Sequence, residues 1–352
     1  MTASRQWANR PNDERFETLD ALYAAVHARH MQSRSADIAP NQIRAEASGD
    51  DIVIAHGTKL ASPTNWSFGQ FSGLLKAPAS YVRTLPATLA CDCINHGISV
   101  AQRDALKFWT YVNPDTGAVK LSAVTSTTYG RIYDDSCVEE CRKIVTSTGG
   151  KFFNPKAYVN GEIRPSGLYA SDRDVFMFLI DGGSHLDIGP RAQLNRGFFM
   201  WNSEVGSRTF GLMTFLFNSV CGNHIVWGAQ DVRELKIRHT VNGPYRFNEE
   251  ATPALVAYAN ASAVPLVSSI KRAQDYLLPA TNREEVIVWL MDHKFTKADA
   301  SGSYDQAKIE EGECRTLWQA VQGATAYARG FDYVDTRVAL ETTAGKLLDL
   351  VK

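Results

Sequence analysis

The spacing of apolar residues changes twice along this chain. Near the start, ERFETLDALYAAVHARHM (residues 14–31) puts Phe16, Leu19, Leu22, Tyr23 and Val26 on one face at helical intervals, which predicts an amphipathic helix. DIVIAHGTKLAS (51–62) opens as a strand. SFGQFSGLLKAPASYVRTLPATLACDCINHGI (67–98) reads as short helices broken near Pro78 and Pro86, where the ring removes a backbone donor and biases the preceding residue away from helix. The sharpest local pattern is ALKFWTYVNPDTGAVKLSAVTS (105–126). Leu106, Phe108, Thr110 and Val112 alternate before Asn-Pro-Asp-Thr-Gly, and Val119, Leu121, Ala123 and Thr125 answer after it, so a β-hairpin with a type I turn and a left-handed exit is expected. DDSCVEECRKIVTSTGG (134–150) predicts a helix with an Asp N-cap and a Gly-Gly stop.

From 151 to 241 the pattern becomes short aromatic and β-branched runs separated by Gly, Asp, Asn and Pro: KFFNPKAYV, GLYASDRDVFMFLID, GFFMWNSE, SRTFGLMTFLFNSV, NHIVWGAQ and LKIRHTV. Thr209–Phe217 is apolar on both alternating faces and should be covered on both sides. From about residue 247 helical spacing returns in ATPALVAYANASAVPLVSSIKRAQDYLL, REEVIVWLMDHKF, CRTLWQAVQGATAYARG and TRVALETTAGKLLDLV. The fold expected is α+β, a central mostly antiparallel sheet with N-terminal helices and a C-terminal helical region. Its parts are residues 1–100, 101–246 and 247–352, or one continuous domain, since no Pro/Gly/Ser-rich linker separates the last two and VNGPYRFNEE (241–250) is only a modest boundary.

Composition adds a class. With 352 residues, 44% hydrophobic and 21% charged, the chain has the balance of an ordinary soluble globular protein. The charged start MTASRQWANRPNDERF lacks a signal-peptide core, and no eighteen-residue apolar run exists, so the expectation is a cytoplasmic protein without a membrane span. Six cysteines include no Cys-x-x-Cys pair, and Cys137 and Cys141 share a helix face, which suits buried, reduced thiols. The net charge of −1 hides an asymmetry: residues 188–248 hold seven Lys and Arg against three Asp and Glu, whereas residues 249–352 hold eleven against fifteen. A basic middle beside an acidic tail suits an anionic partner.

That basic middle contains GFFMWNSEVGSRTFGLMTFLFNSVCGNHIVWG (197–228), where a polar Asn-Ser-Glu cluster interrupts two apolar runs. Ser203–Gly206 reads as a tight turn, with glycine supplying a positive φ. Either the turn merely reverses the chain, or it presents Glu204 with Asn202, Arg208, Asn223 and His224 as a polar site. Cys221 and His224 have zinc-ligand spacing but no second pair, and His239 would have to serve as the third ligand. Asp172 and Asp174, flanking Arg173, would fit magnesium or a solvated strand edge. No phosphate loop, dinucleotide fingerprint or nucleophile elbow is present in the sequence, so the expectation leans away from an enzyme and includes no cofactor and no resident metal.

For nucleic acid the pattern is richer. Arg191, Arg196, Arg208, Arg233, Lys236, Arg238 and Arg246 interleave with Phe198, Trp201, Phe210, Trp227 and Tyr245, a mixture suited to neutralising phosphates and stacking bases. The residues expected to bind are Arg196, Arg208, Lys236, Arg238 and Arg246, with Trp201 or Trp227 stacking. The runs FSGLLKAPASYVRTLPATLACDCINHGI, GLYASDRDVFMFLID, RGFFMWNSEVGSRTFGLMTFLFNSVCGNHIVWG and TLWQAVQGATAYARG, in the family's own order, together resemble the phage/plasmid-like family called domain of unknown function 932. The resemblance covers most of the chain and implies a place on phages, prophages and plasmids, beside replication and recombination genes. Its signature residues here are Asn202, Ser203, Glu204, Gly206, Cys221 and Asn223. The resulting expectation is a homo-oligomeric protein that binds single-stranded nucleic acid, as a recombination or annealing accessory. Two alternatives stay open: a metal-dependent hydrolase using Asp172, Asp174, Glu204 and His224, and a non-enzymatic protein that docks a host factor through its acidic helical tail.

Overall fold

The computed structural model describes residues 7–101, 104–113, 116–159, 162–188, 193–218, 223–225, 234–260 and 264–351. In chain order these form β1 (Glu14–Arg15), α1 (Leu19–Met31), β2 (Ser33–Ile38), β3 (Arg44–Ser48), β4 (Asp51–His56), β5 (Lys59–Pro63), α2 (Asn65–Leu74), α3 (Ala79–Val82), α4 (Ala87–Val100), β6 (Leu106–Val112), β7 (Val119–Thr125) and α5 (Asp134–Ser147). Then follow β8 (Phe152–Phe153), β9 (Lys156–Val159), β10 (Glu162–Pro165), β11 (Leu168–Ala170), β12 (Val175–Asp187), β13 (Gln193–Asn202), β14 (Phe210–Asn218), β15 (Asn223–Ile225) and β16 (Leu235–Ile237). The chain ends in α6 (Gly243–Asn260), α7 (Val264–Asp275), α8 (Arg283–Asp292), α9 (Lys297–Glu311), α10 (Leu317–Ala328) and α11 (Val334–Leu347). The class is α+β, as the sequence predicts.

The largest sheet has eight strands, in the order β1-β11-β12-β13-β14-β15, with β16 beside β14 and β8 beside β12. Every pairing in it is antiparallel. Its apolar runs lack clean alternation because both faces are covered. Phe198, Met200, Phe210 and Leu212 meet the apolar faces of α1, α5 and α6. Their neighbours Phe199, Trp201, Phe215 and Phe217 pack with Val334 and Val338 of α11. Each such buried side chain contributes roughly 1.5–3 kcal/mol over the exposed state.

A second, six-stranded sheet runs β2-β6-β7-β5-β4-β3, with one parallel pair, β5 on β7. The predicted hairpin is β6–β7, closed with Val112 opposite Val119 and with Gly117 at φ 67°. It belongs to the sheet built by residues 33–63, so a boundary at residue 101 cuts through one layer of the fold. Helices α2, α3 and α4 break at the two prolines as expected. The first helix begins later than its apolar spacing suggests, because Thr18 caps it by accepting from Ala21 N and Glu14–Arg15 pair with β11 as a strand.

Among the C-terminal helices, α9 is the one the apolar pattern does not show. Its KADASGSYDQAKIEE offers few large apolar residues, and it packs by close approach instead. A Cβ on Gly302 would meet the Tyr327 ring at 2.3 Å, and one on Gly323 would meet Ser303 O at 2.3 Å. Among the described residues, no helix is long and apolar enough to cross a membrane.

Candidate functional site

Chain reversal between β13 and β14 sets the site. Gly206 takes φ 83°, Ser207 N donates to Ser203 Oγ at 2.9 Å, and Ser203 Oγ donates to Arg173 O at 2.6 Å. The tip is held by α2 and the second sheet: Val205 O accepts from Trp66 Nε1 at 3.0 Å and from Gln70 Nε2 at 2.7 Å, both on α2, and the Val205 side chain packs with Trp109 of β6 and Ala123 of β7. The turn therefore joins two layers besides reversing the chain.

Its polar residues face inward and are buried. Glu204 Oε1 accepts from the backbone N–H of Asp134, the first residue of α5, at 2.7 Å, and Oε2 pairs with the buried Arg131 guanidinium. The α5 N-cap residue is Tyr133, which gives no side-chain cap, so a carboxylate seventy residues away caps this helix in place of the predicted Asp. Asn202 Nδ2 bridges Ile132 O at 2.9 Å and Asp134 Oδ1 at 2.7 Å. Arg131 also lies over the Trp109 and Tyr133 rings, 4.7 and 4.9 Å from their centroids.

Beside this network lies a cleft of about 320 Å³. Glu204 and Asp134 form one wall and Ser171, Asp172 and Arg173 another, while Arg29 enters from α1 and Tyr111 from β6. Burial, then the neighbouring Glu204 carboxylate, raise the Asp134 carboxyl well above its ordinary range against the opposing pull of Asn202, Arg29 and Arg131. A carboxyl that keeps its proton inside a cleft can donate a hydrogen bond or a proton. Arg173 is paired with Asp172 at 3.0 Å. Arg29 differs: it donates to Ser171 O at 3.2 Å, and among the described residues no carboxylate lies within ion-pair distance.

The residues expected to bind or catalyse scatter. Asp172 and Asp174 lie in the β11–β12 turn but face different partners: Asp172 accepts from Trp66 N at the start of α2, whereas Asp174 binds Ser207 and Arg208. His224 is fully buried among Phe178, Phe215 and Phe217, with Nδ1 3.8 Å from Glu341 Oε1. Burial, then Arg337 and Arg329, hold its imidazole neutral well below the ordinary range. Asp172, Asp174, Glu204 and His224 thus form no common metal site. His239 stacks on Tyr129 at 5.2 Å and is pulled down to about 4 by burial; among the described residues it shares no three-residue cluster of metal-ligating groups with His224.

Of the expected nucleic-acid contacts, Arg196 is buried and donates to Ala259 O at 3.1 Å, a correction that follows from its place in a sheet covered on both faces. Trp201 is buried against Phe199 and Gly211, so it has no free ring face for a base. Arg208 is tied to Asp174 at 3.2 Å. Lys236 and Arg246 are exposed in ion pairs with Glu234 and Glu250, and Arg238 is exposed. Asn223 belongs to β15, and Trp227 and Cys221 lie outside the described residues. Cys137 and Cys141 are buried free thiols, as expected. Sequence reasoning missed Arg29, Tyr111, Arg131 and Asp134. The one available signal was the doubled Asp134-Asp135, where a cap needs a single residue. Comparison of the chain with family models, curated proteins and solved structures finds no match.

Proposed function

We propose that the cleft binds a small polar molecule carrying an anionic group, with Arg29 as its charge partner and Asp134 as a proton-bearing hydrogen-bond donor. The observation that carries this reading is the contrast among three arginines at one cavity. Arg131 and Arg173 are paired to carboxylates, while Arg29 has a single backbone partner. The volume lies at the low end of ligand pockets. Calorimetric titration with orthophosphate, a dicarboxylate and a nucleoside monophosphate tests it. Binding that Arg29→Ala abolishes and Arg238→Ala leaves intact supports the reading, and equal affinity in both variants, or no heat from any probe, overturns it.

A second reading keeps single-stranded nucleic acid, on a different surface. Tyr245, in the first turn of α6, is 68% exposed and Val241, on the segment that joins β16 to α6, equally so, among Lys236, Arg238 and Arg246. An exposed aromatic ring among cations is the arrangement that stacks bases and neutralises phosphates. The surface ion pairs of Lys236 and Arg246 are weak enough to exchange for phosphate. With the resemblance to mobile-element proteins, this supports a homo-oligomeric recombination or annealing accessory. Fluorescence anisotropy with labelled single- and double-stranded oligonucleotides across a salt series tests it; affinity unchanged in a Lys236→Ala, Arg238→Ala, Arg246→Ala triple variant would remove it.

A further inference from the structure

Helix α1 presents one face to the cleft through Ala25, Ala28 and Arg29 and another to the start of α5. On that second face His27 and His30, one helical turn apart, meet Asp135, the neighbour of the cleft's Asp134. Their Nδ1 atoms lie 2.8 and 2.7 Å from the same carboxylate oxygen, Asp135 Oδ2. The other oxygen, Oδ1, is buried and has no hydrogen-bond partner.

We propose that His27, His30 and Asp135 form a binding site for a first-row divalent cation such as zinc. Two imidazole nitrogens and a carboxylate are the donor set these ions take. Both rings are held in place: His27 stacks on Tyr23 at 5.1 Å, and His30 on Tyr133 at 3.6 Å. The site lies at the last turn of α1, whose C-terminal carbonyls favour positive charge. The His27 side chain is 40% exposed and that of His30 26%, so an ion can reach the site from solvent and complete its shell with water. Ligand bonds of about 2.0–2.2 Å around a tetrahedral ion separate donor atoms by roughly 3.3 Å, so loading requires an opening of about half an ångström, within reach of the half-exposed His27 side chain. Hydrogen bonding alone explains the cluster less well. It needs both rings protonated at Nδ1, puts both donors on one oxygen, and leaves the buried second oxygen empty.

The experiment is calorimetric titration of the chelator-dialysed full chain with zinc chloride, with the visible spectrum of the cobalt(II) form as a readout of the ligands. The expected result is one equivalent bound, with affinity reduced at least about 100-fold in His30→Ala and in Asp135→Asn, and unchanged in His96→Ala, an exposed histidine outside the cluster. His30→Gln, which keeps the side chain's bulk, and thermal melts of every variant in chelator separate lost ligation from lost folding. No stoichiometric zinc binding by the wild-type chain overturns the proposal, as does wild-type affinity in folded His30→Gln and Asp135→Asn. The outcome is independent of the anion titrations, because none of the three ligands lines the cleft.

Discussion

Glu204 accepts the backbone N–H of Asp134 at 2.7 Å, so a turn residue in the large sheet caps a helix seventy residues upstream. Its second oxygen pairs with Arg131, and both side chains are buried. A buried pair is costly to break from one side. Glu204→Ala is expected to destabilise the protein by about 3–5 kcal/mol, since it strands the Arg131 charge and uncaps α5. Arg131→Ala should cost a similar amount, and the double variant well under the sum of the two. Glu204→Gln keeps an acceptor and should cost about 1–3 kcal/mol. Urea unfolding measures all four; a loss below about 0.5 kcal/mol in Glu204→Ala would reduce the residue to a simple turn former.

The Asp134 carboxyl makes stability depend on pH with a definite sign. Its ordinary value is 3.8, and burial raises it in the folded chain. The folded state therefore holds this proton more tightly than the unfolded state, so the contribution is complete below about pH 4 and is lost as pH rises through the folded value. Asp134→Asn keeps an oxygen for Asn202 and stays neutral throughout. The unfolding free energy of the variant minus that of the wild type should grow as pH rises above about 4. A difference that stays flat from about pH 4 to 9 would contradict a proton-bearing Asp134.

The parts of the fold that periodicity controls could be read from the chain, and those set by long-range contact could not. The β6–β7 hairpin carries its own turn chemistry, and the doubly apolar Thr209–Phe217 run announced a segment covered on both faces, which the structure makes strand β14. Glu204 was visible as an anomaly, yet its partners Arg131 and Asp134 lie on another element, and no local pattern names them. Exposure was the least legible property. Arg196 and Trp201 share composition with Arg238 and Tyr245, but the first two sit in β13 between helical layers and the last two lie outside it. Of the doubled Asp134-Asp135, one residue faces the cleft and the other the paired histidines, a division that only the approach of α1 to α5 creates.

Gly323 offers a test of sign. In an isolated helix Gly→Ala stabilises by about 1 kcal/mol. Here the added methyl would lie 2.3 Å from Ser303 O and 2.6 Å from Ala307 Cβ, where α9 crosses α10. Overpacking of this kind costs about 1–3 kcal/mol, so Gly323→Ala should lower the thermal midpoint. A raised midpoint would mean that the two helices approach less closely than the structure has them.

Trp201 and Tyr245 should separate core from surface in one experiment. Trp201 is 8% exposed, and a Cβ on its cross-strand partner Gly211 would lie 2.0 Å from the indole. Removing that ring opens a cavity between β13, β14 and α11, so Trp201→Ala should cost about 3–5 kcal/mol of stability. Any effect on oligonucleotide binding would then follow the folded fraction. Tyr245 is 68% exposed, and Tyr245→Ala should leave stability within about 0.5 kcal/mol. If the β16–α6 surface stacks bases, the same variant should lose about 1–3 kcal/mol of affinity for a single strand. Replacing Arg238 should instead reduce the salt dependence by about one phosphate contact. Equal single-strand affinity in wild type and Tyr245→Ala, with binding intact, would move the interface away from this surface.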